Sequence, residues 1–231
     1  MIVRLHNLAA RSSAMADLEA VTALLRVCDL SESGTSDYTE EDVQYAWQTQ
    51  DFNLKTDAWV IVTRKGGQLV GYADVRQSEA GQFCVCIRVH PDYHGRGIGT
   101  LLIWLTEERA RQLMKGISTG RRVTLSSTVS NFNQKAHKLL EREGYTLVHS
   151  FWRLMIDIES MPAYACREAH QQGKISIDLP VDGYDATAGT THLRERQKAY
   201  IAHLYNVYEK ELRAKVEFYS PQASLPQPIA V

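Results

Sequence analysis

Gly95, Gly97 and Gly99 fall within five residues at the end of the segment VHPDYHGRGIG (residues 89–99), directly after FCVCIRV, a run that reads as a buried strand. Glycine costs conformational entropy, so such a cluster at a strand end marks a tight turn or a place where something approaches the backbone. In the residues that follow, TLLIWLTEERARQLM, the side chains of Ile98, Leu101, Leu102 and Leu105 recur at helical spacing, with Glu107, Glu108, Arg109 and Arg111 largely on the polar side. Strand, glycines and helix N-terminus in that order bring free backbone N–H groups and the positive end of a helix dipole to one point. That point suits a phosphate or pyrophosphate, and Arg96 would add a cation. The spacing is not the G-x-G-x-x-G of a dinucleotide site, because Thr100 stands where the third glycine belongs, and no Gly-Lys-Ser/Thr follows to make a P-loop.

Acid–base chemistry has several candidates and no unique one. Asp74, Glu79 and His90 are the titratable residues on or beside the strands near the loop, and Tyr93 could act as an acid. Each has a structural alternative: a solvated strand residue, a turn residue, a turn cap and a loop-packing ring. The catalytic assignment stays open. Cys84 and Cys86 alternate on one strand and so share a face, where small buried thiols are expected. The four cysteines, Cys28, Cys84, Cys86 and Cys166, have no metal-ligand spacing, so no metal site is expected.

These residues need a frame, and the pattern supplies one. IVRL (residues 2–5) reads as a first strand and residues 15–30 as a helix with Leu18, Val21, Leu24, Leu25 and Cys28 along one stripe. Thr39 opens a second helix, with Asp42 completing a capping box. Residues 58–76 read as a hairpin turning at Lys65, Gly66 and Gly67, and residues 81–89 as the next strand. After the long helix come a strand at 121–129, a helix over 133–145 stopped by Gly144, and a strand over 146–158. Beyond residue 158 the composition shifts: five of six prolines lie after residue 160. Residues 159–190 read as linker or irregular cover containing one strand-like run, KISIDL. Residues 191–219, striped by Leu193, Tyr200, Ile201, Leu204, Val207, Tyr208 and Leu212, read as one long amphipathic helix, and 220–231 as a proline-rich tail. The tyrosines Tyr200, Tyr205 and Tyr208 would pack on the core or on a second copy of the chain, which makes a homodimer one expectation.

The bulk properties narrow the class. In 231 residues, 44% are apolar, and 26 basic residues balance 27 acidic ones. That balance gives no general pull towards nucleic acid or an anionic membrane. No apolar run approaches the roughly 18 residues of a membrane span, and the first residues lack the apolar region of a secretory signal, so the cytoplasm is the expected location.

The order of elements is mixed α/β, and two blocks carry a specific resemblance. VHPDYHGRGIGTLLI resembles the acyl-coenzyme A signature of GNAT-type N-acetyltransferases: a Gln or Arg, two residues, Gly, one residue, then Gly or Ala. His94, Gly97 and Gly99 fall on those positions, with His94 departing from Gln or Arg. NQKAHKLLEREGY resembles the second block of that family through Asn133, Ala136, Leu139, Gly144 and Tyr145, with Leu140 where the family has a tyrosine. The resemblance covers about residues 1–158, which would form the transferase domain.

It implies a central sheet, mixed and mostly antiparallel, flanked by helices, with the C-terminal helix as an extension. It implies acetyl-CoA as acyl donor and a primary amine of a small molecule or peptide as acceptor, acylated by direct attack in a ternary complex. In such proteins the strand before the glycine loop splays from its neighbour. Backbone groups of Ile87, Arg88 and Val89 would then pair with the pantetheine arm. The pyrophosphate would lie on the N–H groups of His94, Gly95, Arg96, Gly97, Ile98, Gly99 and Thr100, and Asn133 would reach the pantetheine. The backbone near Val89 would polarise the thioester carbonyl. Leu140 cannot donate a proton to the departing thiolate as the family tyrosine would, which keeps a non-catalytic acyl-CoA-binding sensor as the alternative. The acceptor would meet residues 31–52, where Glu32, Asp37, Glu40, Glu41 and Asp42 make an acidic stretch suited to an amine or to a solvated helix end.

Overall fold

The computed structural model describes residues 7–36, 38–157, 174–181 and 200–214. Its frame is one eight-stranded sheet in the order β1-β2-β3-β4-β5-β8-β6-β7. The strands are β1 (Leu8–Ser12), β2 (Ala58–Thr63), β3 (Leu69–Glu79), β4 (Gln82–Val89), β5 (Val123–Ser130), β6 (Thr146–Asp157), β7 (Lys174–Pro180) and β8 (Tyr200–Arg213). All neighbours run antiparallel except β4 and β5, which are parallel. Five helices lie between them: α1 (Leu18–Ser33), α2 (Glu40–Trp47), α3 (Leu54–Asp57), α4 (Ile98–Leu113) and α5 (Gln134–Arg142).

The helix signals act locally as their chemistry requires. The hydroxyl of Thr39 accepts from Asp42 N–H and Asp42 reaches back to the Thr39 backbone, the reciprocal box that starts α2. Asn133 caps α5 by accepting from Ala136 N–H, and Gly144, at φ +87°, turns the chain out of it. One sheet face carries α1 and α2 over Val21, Leu24, Trp47, Val60 and Tyr72. The other carries α4 and α5 over Phe83, Val85, Ile103, Leu125, Leu140 and Tyr208.

The C-terminal segment corrects the sequence reading. Instead of a helix over 191–219, Tyr200–Arg213 is the long strand β8, inserted between β5 and β6 and paired to both. Both of its faces are used. Tyr208 and Lys210 contact α5 and α4 residues on one side, and Glu209 and Glu211 both bond Arg122 on the other. A strand buried on two sides shows apolar residues at i, i+3 and i+4 as readily as at i+2, so its stripe imitates a helix. Tyr208 is buried in the core, one of the two outcomes expected of these tyrosines, and Tyr205 stacks on Phe151. KISIDL forms β7, paired to β6. Residues 2–5, the rest of 159–190, residues 191–199 and the tail 220–231 lie outside the described residues, and the first described strand is Leu8–Ser12.

Two smaller expectations also change. Glu107, assigned to the polar face of α4, is 4% exposed, because Arg111 (2.7 Å) and Lys210 (2.6 Å) enclose its carboxylate. Cys84 is exposed and Cys86 half-buried, while Cys28 is buried. The cluster that α1 and α2 cover takes in Cys86 and not Cys84.

Candidate active site

The parallel pair β4–β5 does not stay paired. Its register runs only from Gln82–Thr124 to Val85–Ser127. Beyond that point β5 keeps β8 as far as Ser130, while β4 keeps β3 as far as Val89. The two strands are drawn to opposite sides and a wedge opens between Cys86–Val89 and residues 128–130. His90 N–H donates to Val70 O on the β3 side at 2.9 Å, so alternation turns the backbone groups of Ile87 and Val89 into the wedge.

At the mouth of the wedge the glycine loop delivers α4. Gly95 and Gly97 adopt φ of +77° and +84°, a left-handed backbone that only glycine takes at low cost. Gly97 is the N-cap of α4, and the first intrahelical bond is Leu101 N–H to Gly97 O. The N–H groups of Ile98 and Gly99 precede it and have no helical acceptor. Gly99 has a different reason to be glycine: a Cβ there would lie 2.6 Å from Leu139 Cδ2. Its role is the close approach of α4 to α5, clamped further by Arg142 Nη2 donating to Thr100 Oγ1 at 2.6 Å.

The wedge and loop enclose a cleft of about 450 Å³. Of the residues singled out in the sequence, Ile87, Arg88, Val89, His94, Gly95, Gly97, Ile98, Gly99, Thr100 and Asn133 line it together. Arg96 does not. Its guanidinium lies 4.5 Å over the Tyr93 ring and bonds Asp92 O at 3.2 Å. Besides Arg88 of β4, the cations on the cleft come from α5: Lys135, Lys138 and Arg142. Their i, i+3, i+7 spacing was visible in the sequence as one helical face. Glu32, at the end of α1, also lines the cleft, and no sequence signal separates it from its acidic neighbours. Asp37 lies outside the described residues.

Several side chains organise this space. His94 Nε2 lies 3.0 Å from Val89 O and its Nδ1 lies 3.3 Å from Lys135 Nζ. Lysine can only donate, so the bonds are satisfied with the imidazole proton on Nε2. Cys28 Sγ reaches the same Val89 carbonyl at 3.4 Å. Burial pushes the Cys28 thiol up to about 12 and the Cys86 thiol up to about 11, so both are held protonated. Arg88 Nη1 donates to Ile87 O at 3.2 Å, and its Nε is buried without a partner. Burial works against the Arg88 charge, while the carboxylates of Glu32 and Asp29 favour it.

The acid–base candidates separate clearly. Asp74 is buried and accepts from Tyr72 Oη at 2.6 Å and from Arg76 at 3.1 and 3.2 Å, while Trp47 Nε1 donates to the same Tyr72 hydroxyl at 2.8 Å. Glu79 lies at the far end of β3 beside Arg121 and Arg122, away from the cleft. His90 Nδ1 accepts from Asp92 N–H at 3.3 Å and caps its turn. Tyr93 lines the cleft and donates to Gln68 Oε1 at 3.2 Å. Leu140 is buried in the core. Among the described residues no cluster of His, Cys, Asp and Glu could hold a metal ion, and no helix is long and apolar enough to cross a membrane.

Comparison with known proteins follows the same lines. A model of the acetyltransferase (GNAT) family matches residues 18–145. A GCN5-related N-acetyltransferase from Sphaerobacter thermophilus superposes with a TM-score of 0.72 at 17% identity, covering 91% of this chain and 98% of that one. One from Kribbella flavida gives 0.53 at 17% identity, with 90% and 99% covered. A Salmonella typhimurium protein solved with its cofactor acetyl-CoA gives 0.53 at 14% identity, with 94% and 99% covered. Among curated proteins no sequence matches.

Proposed function

The chain belongs to the GNAT acetyltransferase family, and we propose that it moves an acetyl group from acetyl-CoA to a primary amine of a small molecule or peptide, with both substrates bound at once. The observation that carries this reading is the parting of β4 from β5 directly onto the N-terminus of α4. An open strand edge and a ring of free helix N–H groups are thereby joined in one cleft. The cytoplasmic location expected from the sequence belongs to the same proposal.

The residues present fit such a donor. The N–H groups of Ile98 and Gly99, with Lys135, Lys138 and Arg142, would hold phosphates. The open edge at Ile87 and Val89 would take the amides of the pantetheine arm as an added strand would. Asn133 uses Oδ1 on Ala136 N–H and one Nδ2 proton on Glu32, which leaves a second Nδ2 proton for the arm. Acetyl-CoA supplies an acyl group activated as a thioester, with a leaving thiol of pKa about 8.5. The acceptor nitrogen must arrive uncharged. It bonds to the acyl carbon and sheds one proton, the carbon–sulfur bond breaks, and the sulfur gains a proton. The Val89 N–H on the open edge is the donor we assign to the acyl oxygen. With Leu140 in the core, that sulfur is protonated from water.

Calorimetry with acetyl-CoA tests the donor site, comparing the native chain with Gly97→Glu, which sets a negative side chain at the N-cap. Binding by the native chain, lost in the variant, is expected, followed by thiol release with a panel of amines. A native chain that binds no acetyl-CoA would overturn the reading.

A further inference from the structure

Arg88 is a guanidinium with work left to do. It lines the cleft, its Nη1 reaches only the adjacent Ile87 carbonyl at 3.2 Å, and its Nε is buried without a hydrogen-bond partner. Among the described residues, no carboxylate lies within ion-pair distance of it. Buried N–H groups of a cation call for an acceptor, and the planar guanidinium fork matches a carboxylate. Glu32 lines the same cleft, with Oε1 accepting from Asn133 Nδ2 at 2.6 Å. A cation and an anion thus share one cleft without closing on each other.

The wall beside them has a chemical character of its own. Val85 registers with Ser127, and Ser130 with Tyr205, which registers with Phe151, so the alternation sets Arg88, Ser130, Tyr205 and Phe151 on the α1 face of the sheet. The rings of Phe151 and Tyr205 stack at 5.6 Å. Arg153 covers both at 5.3 and 5.2 Å and is fixed by a bidentate bond to Asp178, 2.8 Å on each arm. Thr35 Oγ1 lies 3.4 Å from His203 Nε2, and His203 meets the Tyr205 ring edge-on, so the segment that follows Glu32 closes onto this wall.

We infer that the acceptor is a free α-amino acid with an aromatic or apolar side chain, its carboxylate on Arg88, its amine towards Glu32 and its side chain against the Phe151–Tyr205 wall. This rests on the acetyltransferase reading above. A peptide N-terminus carries an amide where the carboxylate would be, and leaves Arg88 unanswered.

The test compares L-phenylalanine, L-phenylalaninamide and 2-phenylethylamine as acceptors for the native chain, Arg88→Gln and Arg88→Lys. Native turnover is expected to favour the free acid, and Arg88→Gln to raise its KM at least tenfold with a smaller change in kcat, leaving the amide's KM where it was. Arg88→Lys should recover part of the loss. Titration of L-phenylalanine into the protein–CoA complex, followed by calorimetry, should give binding to the native chain and none to Arg88→Gln, a readout independent of turnover. Melting of Arg88→Gln at or above the native temperature, with unchanged acetyl-CoA affinity, would show that folding and the donor site are intact. Equal use of acid and amide by the native chain, or equal losses for both in Arg88→Gln, would overturn the inference. Absence of turnover with every amine, alongside Arg88-dependent binding of L-phenylalanine, would sink the transferase reading and leave the amino-acid site standing.

Discussion

Asn133 Nδ2 donates to Glu32 Oε1 at 2.6 Å, joining the N-terminus of α5 to the end of α1 over 101 residues of sequence. The same side chain caps its own helix through Ala136 N–H. Asn133→Ala therefore removes a cap, worth about 1 kcal/mol, and a charge-assisted bond, worth about 1–2 kcal/mol at a half-open site. Urea unfolding should show a loss of about 2–3 kcal/mol, and Glu32→Gln a smaller one, since the amide can still accept. Equal effects of the two variants would refute the double role.

Gly97 and Gly99 should fail for different reasons. Gly97→Ala strains a left-handed residue by about 1–2 kcal/mol and should weaken acetyl-CoA binding without a second-site cure. Gly99→Ala drives a methyl into Leu139, and Leu139→Ala should restore its stability and binding together. Measuring both double variants decides between cradle and packing at each position.

Lys210 anchors β8 by donating to Glu107 Oε1 at 2.6 Å and to Glu143 O at 2.7 Å. Lys210→Met leaves the buried Glu107 with Arg111 alone and should cost about 2–4 kcal/mol in chemical denaturation. Lys210→Met with Glu107→Leu should recover most of that loss, because no buried charge is then left over. A double variant no better than the single one would show that the ion pair is not the source of the effect.

The thiols give a pH-dependent prediction. Cys86 at about 11 and Cys28 at about 12 should be slow to alkylate at pH 8, with a thiolate fraction on the order of 10⁻³ or less. Exposed Cys84 should be labelled before Cys28 and Cys86. A raised folded pKa stabilises the fold fully below the unfolded value, about 8.5. That stability declines as pH climbs from there through 11 and 12. Peptide mass mapping after iodoacetamide, and urea midpoints between pH 8 and 10.5, check the two halves separately.

The glycine loop was legible in the sequence because its conformation is local: positive φ at Gly95 and Gly97 leaves a mark in residue type that needs no partner to be read. The same holds for the Thr39–Asp42 box and the Gly144 stop. What escaped depends on distant partners. β8 was mistaken for a helix because its ladder partners, β5 and β6, are distant in sequence, and Glu107 was set on the surface because Lys210, 103 residues away, is what covers it. Arg96, expected from its place in the loop to add a cation, lies over the Tyr93 ring, and α5 brings Lys135, Lys138 and Arg142 to the cleft from a distant part of the sequence.

The central position of β8 also sets a timetable for making the molecule. β5 and β6 are complete by residue 157, yet the strand that fills the gap between them begins at Tyr200. On the ribosome, two long strand edges emerge well before their partner, and the parting of β4 from β5 has nothing to hold its far side open until β8 arrives. The pairing of β5 with β8 joins residues from 75 (Ser130 with Tyr205) to 90 (Val123 with Arg213) apart in sequence, a slow, non-local step that exposes the half-made sheet to association with other chains. A transferase whose cleft depends on β8 cannot bind its donor until that strand has been made and paired.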